Sequence, residues 1–348
     1  MVKKTNTNGE AMKKGICCAG YMCIDSHYFV NEMPKKSELA HIVPPVENAT
    51  GGVVCNTGLD IAILDPDIKV QACGIVGDDT YGTLMMDTMK KYPNVDTSMV
   101  VKKGTSAFSI VMNDLSDRTR TFFECEGPYA EFCEEDIAWE KLDSDIFHIG
   151  YLLLMPHLDA ENEEYGTNMA KLLHKAQSMG VKTSIDCISE SGEEAAAKFR
   201  KVVIPALKYT DYCIINELEA QNITGIELRD KDEKIVVENF KPALQKLKEL
   251  GVSTWAVIHC PEYGAGIDET GCYFESESLK LPKGYIKGSN GAGDAYCAGI
   301  LYAAEKELGM EAALNIGACT AAASLSEVGA IDGVKSLDEV LKLRELYN

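Results

Sequence analysis

Short apolar runs rich in valine and isoleucine alternate with longer amphipathic segments from Gly15 onward. This alternation is typical of βαβ units, in which helices cover a parallel sheet. The predicted strands are Ile16–Gly20, Val70–Ile75, Ile146–Ile149, Lys182–Asp186, Tyr212–Ile215 and Trp255–His259. The predicted helices are Val53–Leu64, Tyr81–Lys91, Tyr165–Met179, Lys241–Leu250, Ala295–Leu308 and Glu311–Leu325. We therefore predict an α/β fold with a mainly parallel central sheet.

Two segments interrupt this rhythm, at about residues 21–48 and 97–127. Within the second, Ala107–Asn113 and Arg118–Glu124 have the pattern of two strands around a polar turn. Insertions of this kind in α/β proteins usually lie over the carboxyl edge of the main sheet, where ligands bind, so we predict a small β-sheet lid. The alternative is an extension that forms a homodimer, and the two roles are compatible.

The composition is that of a globular protein with a large core. The 348 residues are 46% hydrophobic and 25% charged, which is the ordinary balance for a folded domain. We expect one domain over residues 15–348, because a single α/β domain can reach this size. Residues 1–14 are polar and basic and lack the apolar stretch of a secretory signal, so we expect a disordered leader there.

The formal net charge of −20 makes the protein strongly acidic. Proteins gain affinity for nucleic acid and for anionic membranes through lysine and arginine, so neither is an expected partner. The longest weakly polar run, Leu314–Leu325, is shorter than the roughly 20 residues that a membrane-spanning helix needs. An anionic ligand would need positive groups or a metal ion supplied locally.

Thirteen cysteines are scattered through apolar stretches of the chain. Their odd number and the lack of a secretion signal argue against a disulfide framework, so we expect a reducing, cytoplasmic location. No pair of cysteines has C-x-x-C spacing, and the six histidines never fall at helical ligand spacing. A zinc site therefore has no support in the sequence.

A glycine-rich turn, Lys287–Asp294, directly precedes the predicted helix Ala295–Leu308. Small residues let a ligand approach the backbone, and the unpaired amides of a first helical turn point toward it, so the turn is a predicted anion site. The predicted anion-binding residues are Gly291, Ala292 and Gly293. Asp294 would repel a phosphate unless it served the chemistry, so we predict that it accepts the proton of an attacking hydroxyl. The alternative is an acidic residue that favours the helix dipole by about 0.3–1 kcal/mol.

The segment Asn290–Ala295, followed by Ala298 and Gly299, resembles the C-terminal signature of the ribokinase-like (PfkB) carbohydrate kinases. The resemblance extends over almost the whole chain after Gly15, with several motifs in the family's order. It implies a three-layer α/β/α ribokinase-like fold and transfer of the ATP γ-phosphate to a hydroxyl of a sugar or sugar acid, with Asp294 as the base. Two alternatives stay open: a nucleoside kinase of the same fold, and a non-catalytic protein that binds sugar or nucleotide.

Residues near the amino end resemble the family's sugar-binding elements. They are Asp25, Gly51, Gly52 and Asn56. The resemblance implies that the aspartate and the asparagine bond acceptor hydroxyls, which their short polar side chains can do. Tyr151, after the strand Ile146–Ile149, is expected to line the sugar pocket by its position. Without the resemblance, these residues could equally be turn and cap residues.

Asn216–Glu219 follows a predicted strand and resembles the family's Asn-x-x-Glu motif. The resemblance implies that Asn216 and Glu219 bind Mg²⁺, with Glu219 acting through water, and that Asn216 also contacts ATP. Mg²⁺ prefers oxygen ligands and often retains waters, which suits an amide and a carboxylate. Asp186, at the end of its strand, is a weaker metal residue by the same resemblance. The alternative for the pair is a capped, acidic helix start.

The chain departs from the family pattern in two places. It has Gly288-Ser289 where the family usually has Asp-Thr, and that aspartate often belongs to a monovalent-cation site, so potassium activation is not expected. It also has His259–Gly264 where the family commonly has a Thr-x-Gly turn beside the nucleotide. Gly264 and Gly266 are nevertheless predicted to bind ATP together with Gly291 and Gly293.

Two further residues are given structural roles. Asp79 or Thr80 is predicted to cap the helix that begins near Tyr81, which contributes about 1 kcal/mol to stability and nothing to catalysis. Arg118 is predicted to be a solvated residue of the hairpin, with phosphate binding as the alternative.

Overall fold

The computed structural model describes residues 14–117, 119–190 and 194–348. Arg118 and residues 1–13 of the predicted leader lie outside the described residues. No helix in the described part is long and apolar enough to cross a membrane. Each of the thirteen cysteines is free, and most of them are buried.

Fifteen strands and ten α-helices form within the described residues. The strands are β1 (Ile16–Gly20), β2 (Cys23–Val30), β3 (Ile42–Gly51), β4 (Val70–Val76), β5 (Val95–Lys102), β6 (Ala107–Asp114), β7 (Arg120–Cys125), β8 (Ile146–Leu152), β9 (Glu161–Asn162), β10 (Gly166–Thr167), β11 (Lys182–Cys187), β12 (Tyr212–Asn216), β13 (Trp255–His259), β14 (Tyr263–Ile267) and β15 (Tyr273–Glu277). The helices are α1 (Thr57–Leu64), α2 (Thr80–Met89), α3 (Pro156–Asp159), α4 (Asn168–Ser178), α5 (Ala195–Leu207), α6 (Glu217–Thr224), α7 (Phe240–Leu250), α8 (Ala292–Glu305), α9 (Met310–Ser324) and α10 (Leu337–Leu346). The predicted cap of α2 is confirmed, because the side chain of Asp79 accepts a hydrogen bond from the amide of Gly82.

The main sheet has nine strands in the order β15-β14-β13-β12-β11-β8-β1-β4-β5. Neighbours from β13 to β5 pair in parallel, and β14 and β15 extend one edge as antiparallel strands. The mainly parallel α/β architecture that the apolar runs predict is therefore confirmed.

Side chains of β1 alternate between two hydrophobic cores, one on each face of the sheet. Cys17 and Ala19 belong to one core, and Ile16 and Cys18 belong to the other, because successive side chains of a strand point to opposite faces. The first core packs mainly against α2, α4, α5, α6 and α7, and the second against α1, α8, α9 and α10. This is the predicted three-layer arrangement.

A second sheet of four strands, in the order β3-β2-β6-β7, is separate from the main sheet. β2 and β6 are parallel, and the other neighbours are antiparallel. The two predicted hairpin strands are observed as β6 and β7, and the first inserted segment supplies β2 and β3. The small separate sheet predicted from the two insertions is confirmed, and we call it the lid sheet.

The order of the main sheet reverses direction between β1 and β8. From β1 the chain adds β4 and β5 on one side and then adds β8, β11, β12 and β13 on the other. Ligands of open α/β sheets bind at such reversals, outside the carboxyl ends of the strands. Gly20 and Gly150 are paired near these ends, so the expected cleft lies beside them.

Candidate active site

Four neighbouring strands carry polar side chains near their carboxyl ends. They are Tyr151 of β8, Asp186 of β11, Asn216 of β12 and His259 of β13. All four line a cavity of about 420 Å³ that also includes Asp294. Because parallel strands end at the same edge of a sheet, residues far apart in the sequence meet here.

Asp294 lies in the first turn of α8 and is only 8% exposed. Its Oδ1 accepts hydrogen bonds from the hydroxyl of Tyr151 at 2.7 Å and from the hydroxyl of Thr57 at 3.2 Å. Its Oδ2 accepts one from the amide nitrogen of Asn56 at 3.0 Å. The carboxylate is therefore fixed in orientation, and Oδ2 keeps more capacity to accept a further hydrogen.

The environment of Asp294 acts on its pKa in two directions. Burial raises the pKa above the usual aspartate value, and the hydrogen bonds from Tyr151, Asn56 and Thr57 lower it. Burial penalises the charged form, whereas donors stabilise it. A carboxylate of raised pKa accepts a proton more readily than an exposed aspartate, so Asp294 has the environment of a general base.

The predicted anion site lies at the N-terminus of α8, next to Asp294. Gly291 has a φ of +75°, a backbone conformation that is strained for residues with a side chain. A Cβ there would also lie 2.5 Å from the Cβ of Ala330, so glycine is required at this position. The first-turn amides of α8 have no partner within the helix and are available to an anion. Gly291, Ala292 and Gly293, the predicted anion-binding residues, all line the cavity.

A second cavity of about 470 Å³ adjoins the first on the side of β12 and β13. Its apolar walls include Leu279, Leu281, Tyr296, Ala318, Ala322 and Leu325. The residues common to both cavities are Asn216, His259, Ser289, Ala292 and Gly293. The two cavities therefore form one cleft that passes over the glycine-rich turn, and the second has the size and apolar lining of a site for a heterocycle.

His259 and Tyr296 form a stacked pair in this second cavity. Their ring centroids are 4.6 Å apart. Burial lowers the pKa of His259 to about 4, so the imidazole is neutral at physiological pH. In the sequence, His259 stands out only as a departure from the family pattern, and Tyr296 is not among the predicted site residues. The one sequence feature that could have marked His259 as a site residue is its position at the end of a buried strand.

The residues predicted to bind the acceptor lie around Asp294 and on the lid sheet. Asn56 and Tyr151 contact Asp294 directly. The Oδ1 of Asn56 is buried and has no hydrogen-bond partner among the described residues, so it can accept from a bound hydroxyl. The Oδ2 of Asp25, on β2, accepts a hydrogen bond from Asn290 at 3.3 Å. This contact joins the lid sheet to the glycine-rich turn.

Gly51 and Gly52 support the acceptor side through close backbone approach. A Cβ on Gly51 would lie 2.8 Å from Oδ2 of Asp25. Gly52 has a φ of +84°, and a Cβ there would lie 2.4 Å from the carbonyl oxygen of Tyr21. Side chains at these positions would therefore displace Asp25 or the chain that leads to it.

Asn216 and Glu219 form a capping box at the start of α6. The Oδ1 of Asn216 accepts from the amide of Glu219 at 2.9 Å, and Oε2 of Glu219 accepts from the amide of Asn216 at 3.0 Å. The hydroxyl of Ser189 donates to Oε1 of Glu219 at 2.9 Å. Both residues also line the cavity with Asp186. Asn216 and Glu219 therefore both cap α6 and line the cavity.

Three carboxylates, Asp186, Glu219 and Asp294, converge on this cavity. Burial raises the pKa of Glu219 to about 7. Burial, followed by the charges of Glu219 and Asp294, raises the pKa of Asp186 well above its usual value. A cation would relieve this repulsion, and Mg²⁺ prefers carboxylate, amide and water oxygens. The donor set therefore fits Mg²⁺.

Gly264 and Gly266, which are predicted to bind ATP, lie within a strand. Both are buried in β14. A Cβ on Gly264 would lie 2.2 Å from the hydroxyl oxygen of Tyr296, and one on Gly266 would lie 2.5 Å from the sulfur of Met310. Glycine is needed here because α8 and α9 pack directly on the strand.

Further contacts that the sequence does not predict join the lid sheet to the body. The guanidinium of Arg120 donates to the hydroxyl of Ser289 at 2.7 Å. The hydroxyl of Tyr21, just after β1, donates to Glu124. Arg120 and Glu124 lie on the same face of β7 because they are four residues apart, but only the register of the sheet shows which face meets the cleft.

The family model described as pfkB family carbohydrate kinase matches residues 13–337. A nucleoside kinase of Methanocaldococcus jannaschii is 21% identical over 347 residues, and the alignment covers 97% of this chain and 99% of that protein. The similarity therefore extends over nearly the whole of both chains.

Solved structures of ribokinase-like proteins are similar over almost the whole chain. A ribokinase of Arabidopsis thaliana, complexed with ribose and ATP, has a TM-score of 0.78 at 18% identity, and the alignment covers 96% of this chain and 99% of that chain. A 2-dehydro-3-deoxygluconokinase of Thermotoga maritima has a TM-score of 0.74 at 17% identity, with 95% and 99% covered. These similarities show that the chain has the ribokinase-like fold.

Proposed function

This chain belongs to the pfkB family of carbohydrate kinases, and from that premise we propose that it transfers the γ-phosphate of ATP to a hydroxyl of a sugar-type acceptor. The observation that carries the proposal is Asp294, a buried carboxylate with three donors, beside the anion site of α8. A protein that only bound sugar or nucleotide would gain nothing from a buried carboxylate next to a phosphate site.

Asp294 is positioned to activate the acceptor hydroxyl. The acceptor's proton moves to the carboxylate while its oxygen forms a bond to the γ-phosphorus. The bond between that phosphorus and the bridging oxygen of ADP breaks, and ADP leaves with the electron pair. The amides of Ala292 and Gly293 stabilise the charge on the transferred group, since both residues line the cavity at the start of α8, where first-turn amides have no partner within the helix.

The nucleotide fits the cleft with its base in the second cavity. The apolar walls supplied by α8 and α9 suit a heterocycle. The imidazole of His259 is neutral, so it adds no positive charge that would draw the phosphates into this cavity and away from the glycine-rich turn. The phosphate chain would then cross the glycine-rich turn toward Asp294, because Ala292 and Gly293 line both cavities. This placement accounts for the anion site between the two cavities.

Asn216, Glu219 and Asp186 would hold Mg²⁺, in part through water. When bound, Mg²⁺ neutralises charge on the phosphates of ATP. The capping box fixes Asn216 and Glu219 at the start of α6, so these side chains need little rearrangement to meet a cation. Their own role is to position oxygen ligands at the edge of the cavity.

The acceptor side favours a neutral sugar over a sugar acid. Asp25 and Glu124 both bring carboxylates to the lid sheet. The described residues that line the 420 Å³ cavity around Asp294 include no lysine or arginine. A carboxylate on the acceptor would be repelled there. The short side chains of Asp25 and Asn56 suit neighbouring hydroxyls.

We propose that the lid sheet closes over the acceptor and excludes water from the reaction. Homodimer formation through the same sheet stays a prediction, which analytical ultracentrifugation can test. A reducing, cytoplasmic location is also proposed, because every cysteine is free.

The test is ADP release from ATP and Mg²⁺ with a panel of sugars, sugar acids, sugar phosphates and nucleosides, each with and without potassium. Acceptor-dependent release that is lost in Asp294→Asn supports the proposal. No potassium requirement is expected, because Gly288 stands at the position of the family's usual aspartate. Release that depends on no acceptor, or that is equal in Asp294→Asn, contradicts the proposed function.

A further inference from the structure

A cluster of three buried polar side chains lies behind one wall of the cavity around Asp294, between the main sheet and α8. It consists of His148 of β8, Asp186 of β11 and Cys297 of α8. One ligating atom of each residue lies within 4.8 Å of the ligating atoms of the other two. Imidazole nitrogen, carboxylate oxygen and thiolate sulfur are the usual ligands of Zn²⁺ in proteins. Three side chains that can bind one metal ion therefore meet at one point of the fold.

The order and register of the main sheet bring these residues together. His148 and Ser184 are paired across β8 and β11, and Asp186 is two residues further along β11, toward the carboxyl edge of the sheet. Cys297 reaches the same place from α8, where it belongs to the second hydrophobic core. Cys297 and His148 are 149 residues apart in the sequence, so no ligand spacing in the sequence reveals the cluster.

His148 is held in the orientation of a metal ligand. The residue is completely buried, and its Nδ1 lies 2.9 Å from the hydroxyl oxygen of Ser184. Its Nε2 lies 3.8 Å from Sγ of Cys297. A histidine that binds a metal usually forms a hydrogen bond through its other ring nitrogen, which fixes the ring. Ser184 supplies that hydrogen bond here, and Nε2 is left to face the thiol.

The distances and the ligand types suit zinc. Zn²⁺ binds nitrogen at about 2.0–2.1 Å and thiolate sulfur at about 2.3 Å, so the two atoms lie roughly 3.6 Å apart on a tetrahedral ion. The observed separation of 3.8 Å between Nε2 and Sγ needs little adjustment. Mg²⁺ prefers oxygen ligands, whereas a thiolate with an imidazole selects a softer cation. The cluster is therefore better suited to Zn²⁺ than to Mg²⁺.

Asp186 connects the cluster to the cavity around Asp294. It lines that cavity and is 9% exposed, whereas His148 and Cys297 are 0% and 1% exposed. An ion that enters from the cavity would therefore meet Asp186 first and the two deeper ligands next. Three protein ligands leave the fourth tetrahedral position to water. Because Asp186 is also a proposed Mg²⁺ residue, occupation of the cluster competes with its role toward Mg²⁺.

We propose that His148, Asp186 and Cys297 bind one Zn²⁺ ion, and that the bound ion inhibits the kinase by withdrawing Asp186 from Mg²⁺. The thiol of Cys297 loses its proton to water when the ion binds, because the thiolate is the ligand. Cys297 is three residues after Asp294 on α8, so the ion also brings positive charge within one helical turn of the proposed base. The metal site itself is independent of the proposed kinase function, and only the inhibition rests on it.

Binding is tested with Co²⁺ as a spectroscopic probe for Zn²⁺. In a reducing buffer without chelator, wild type should show a thiolate-to-cobalt charge-transfer band that saturates and is removed by Zn²⁺. Cys297→Ala should lose this band. Cys319→Ala should keep it and is the matched control, because Cys319 is also a fully buried cysteine of a helix in the second core. Absence of the band in wild type, or an equal band in Cys297→Ala, overturns the inference.

Ser184→Ala tests the geometry of the site without removal of a ligand. Loss of the hydrogen-bond partner of a metal-binding histidine lowers metal affinity by roughly 10- to 100-fold, so the Kd for Zn²⁺ in titration calorimetry should rise by that factor. His148→Gln removes a ligand and should weaken binding further. Unchanged Zn²⁺ affinity in both variants overturns the inference. Circular dichroism checks that each variant is folded, and Cys297→Ala decides the outcome if His148→Gln is not.

Turnover separates the metal site from the proposed function. With MgATP and an accepted sugar in excess, Zn²⁺ should inhibit wild type and Cys319→Ala, whereas Cys297→Ala should require roughly tenfold more Zn²⁺ or higher for equal inhibition. Equal inhibition of all three proteins overturns the inhibitory role, because Zn²⁺ then acts elsewhere. A cobalt band that depends on Cys297 in a protein that phosphorylates no acceptor supports the metal site and contradicts the kinase function.

Discussion

The phenol of Tyr151 donates a 2.7 Å hydrogen bond to Oδ1 of Asp294 and so joins the end of β8 to the first turn of α8. The two residues are 143 positions apart in the sequence. Burial raises the pKa of Tyr151 well above its usual value, and the charge of Asp294 adds to this effect. Tyr151 therefore stays protonated and acts as a permanent donor to the proposed base.

Tyr151→Phe should move the acid limb of the pH profile of kcat/KM to higher pH. The variant removes a donor that lowers the pKa of Asp294, so at a given acid pH more of the carboxyl is protonated and unable to accept a proton. Thr57→Val removes the longer, 3.2 Å hydrogen bond to Asp294. It should shift the acid limb of the pH profile in the same direction, but by less. An acid limb in the same place for Tyr151→Phe as for wild type would exclude this tuning role.

Asp294→Asn should lower kcat by roughly 10²- to 10⁴-fold and leave nucleotide affinity unchanged or improved, because the base and its repulsion of phosphate are both removed. The variant should also be more stable at neutral pH. The folded-state pKa of Asp294 is raised, so its stabilising contribution is present at acid pH and lost as pH rises through that pKa. The gain in Tm should therefore disappear in acid.

Asp60→Asn is a matched control for the loss of a buried carboxylate. Asp60 lies in α1, is fully buried, and neither of its side-chain oxygens has a partner among the described residues. Burial raises its pKa well above the usual value, so this variant should also raise the Tm, but with near-normal kcat. An equal fall in kcat for both variants would assign Asp294 a structural role.

Glu219→Gln should raise the Mg²⁺ concentration that activity requires and should flatten the dependence of stability on pH. The pKa of Glu219 is raised from 4.5 to about 7, so its stabilising contribution is complete below the lower value and lost as pH rises through about 7. In EDTA, as the pH rises from 4.5 to about 7, the Tm of wild type should fall more than the Tm of Glu219→Gln. Thermal melts and Mg²⁺ titrations measure both effects, and unchanged Mg²⁺ dependence in a folded variant would remove Glu219 from the site.

Arg120→Gln should weaken closure of the lid sheet, because it disturbs the 2.7 Å bond to Ser289. With nucleotide and acceptor bound, hydrogen exchange in residues 107–125 should be faster than in wild type, and the KM for the acceptor should rise. Lys102→Gln is the control, since Lys102 pairs with Asp78 at the exposed surface. If exchange in residues 21–48 and 97–127 of wild type is the same with and without ligands, the lid role is excluded.

Gly264→Ala should destabilise the protein by about 1–3 kcal/mol, because the new methyl group would overlap the hydroxyl of Tyr296. Tyr296→Phe removes that oxygen and should restore much of the lost stability in the double variant. Denaturant unfolding of the four proteins gives the coupling between the two sites. Simple additivity of the two changes would show that Gly264 is not needed to accommodate Tyr296.

Local sequence patterns were sufficient to predict the central strands of the main sheet. Each of the six predicted strands begins at the residue where the observed strand begins, from Ile16 of β1 to Trp255 of β13. These strands are buried on both faces, so continuous apolar runs mark them. The antiparallel β15 was not predicted, because it lies at the edge and is only partly buried, with a polar sequence. The first predicted helix began too early, since Val53 is apolar and buried but precedes α1.

The sequence by itself determined the proposed base and the anion site, because Gly291, Asp294 and the start of α8 are contiguous and their chemistry is local. Only the tertiary structure decided that Asn56, Thr57 and Tyr151 are the donors to Asp294, at sequence separations of 238, 237 and 143 residues. Hydrophobic patterns specify which face of an element is buried. The distances between side chains of different elements depend on the strand order and register of the sheet, which no local pattern contains.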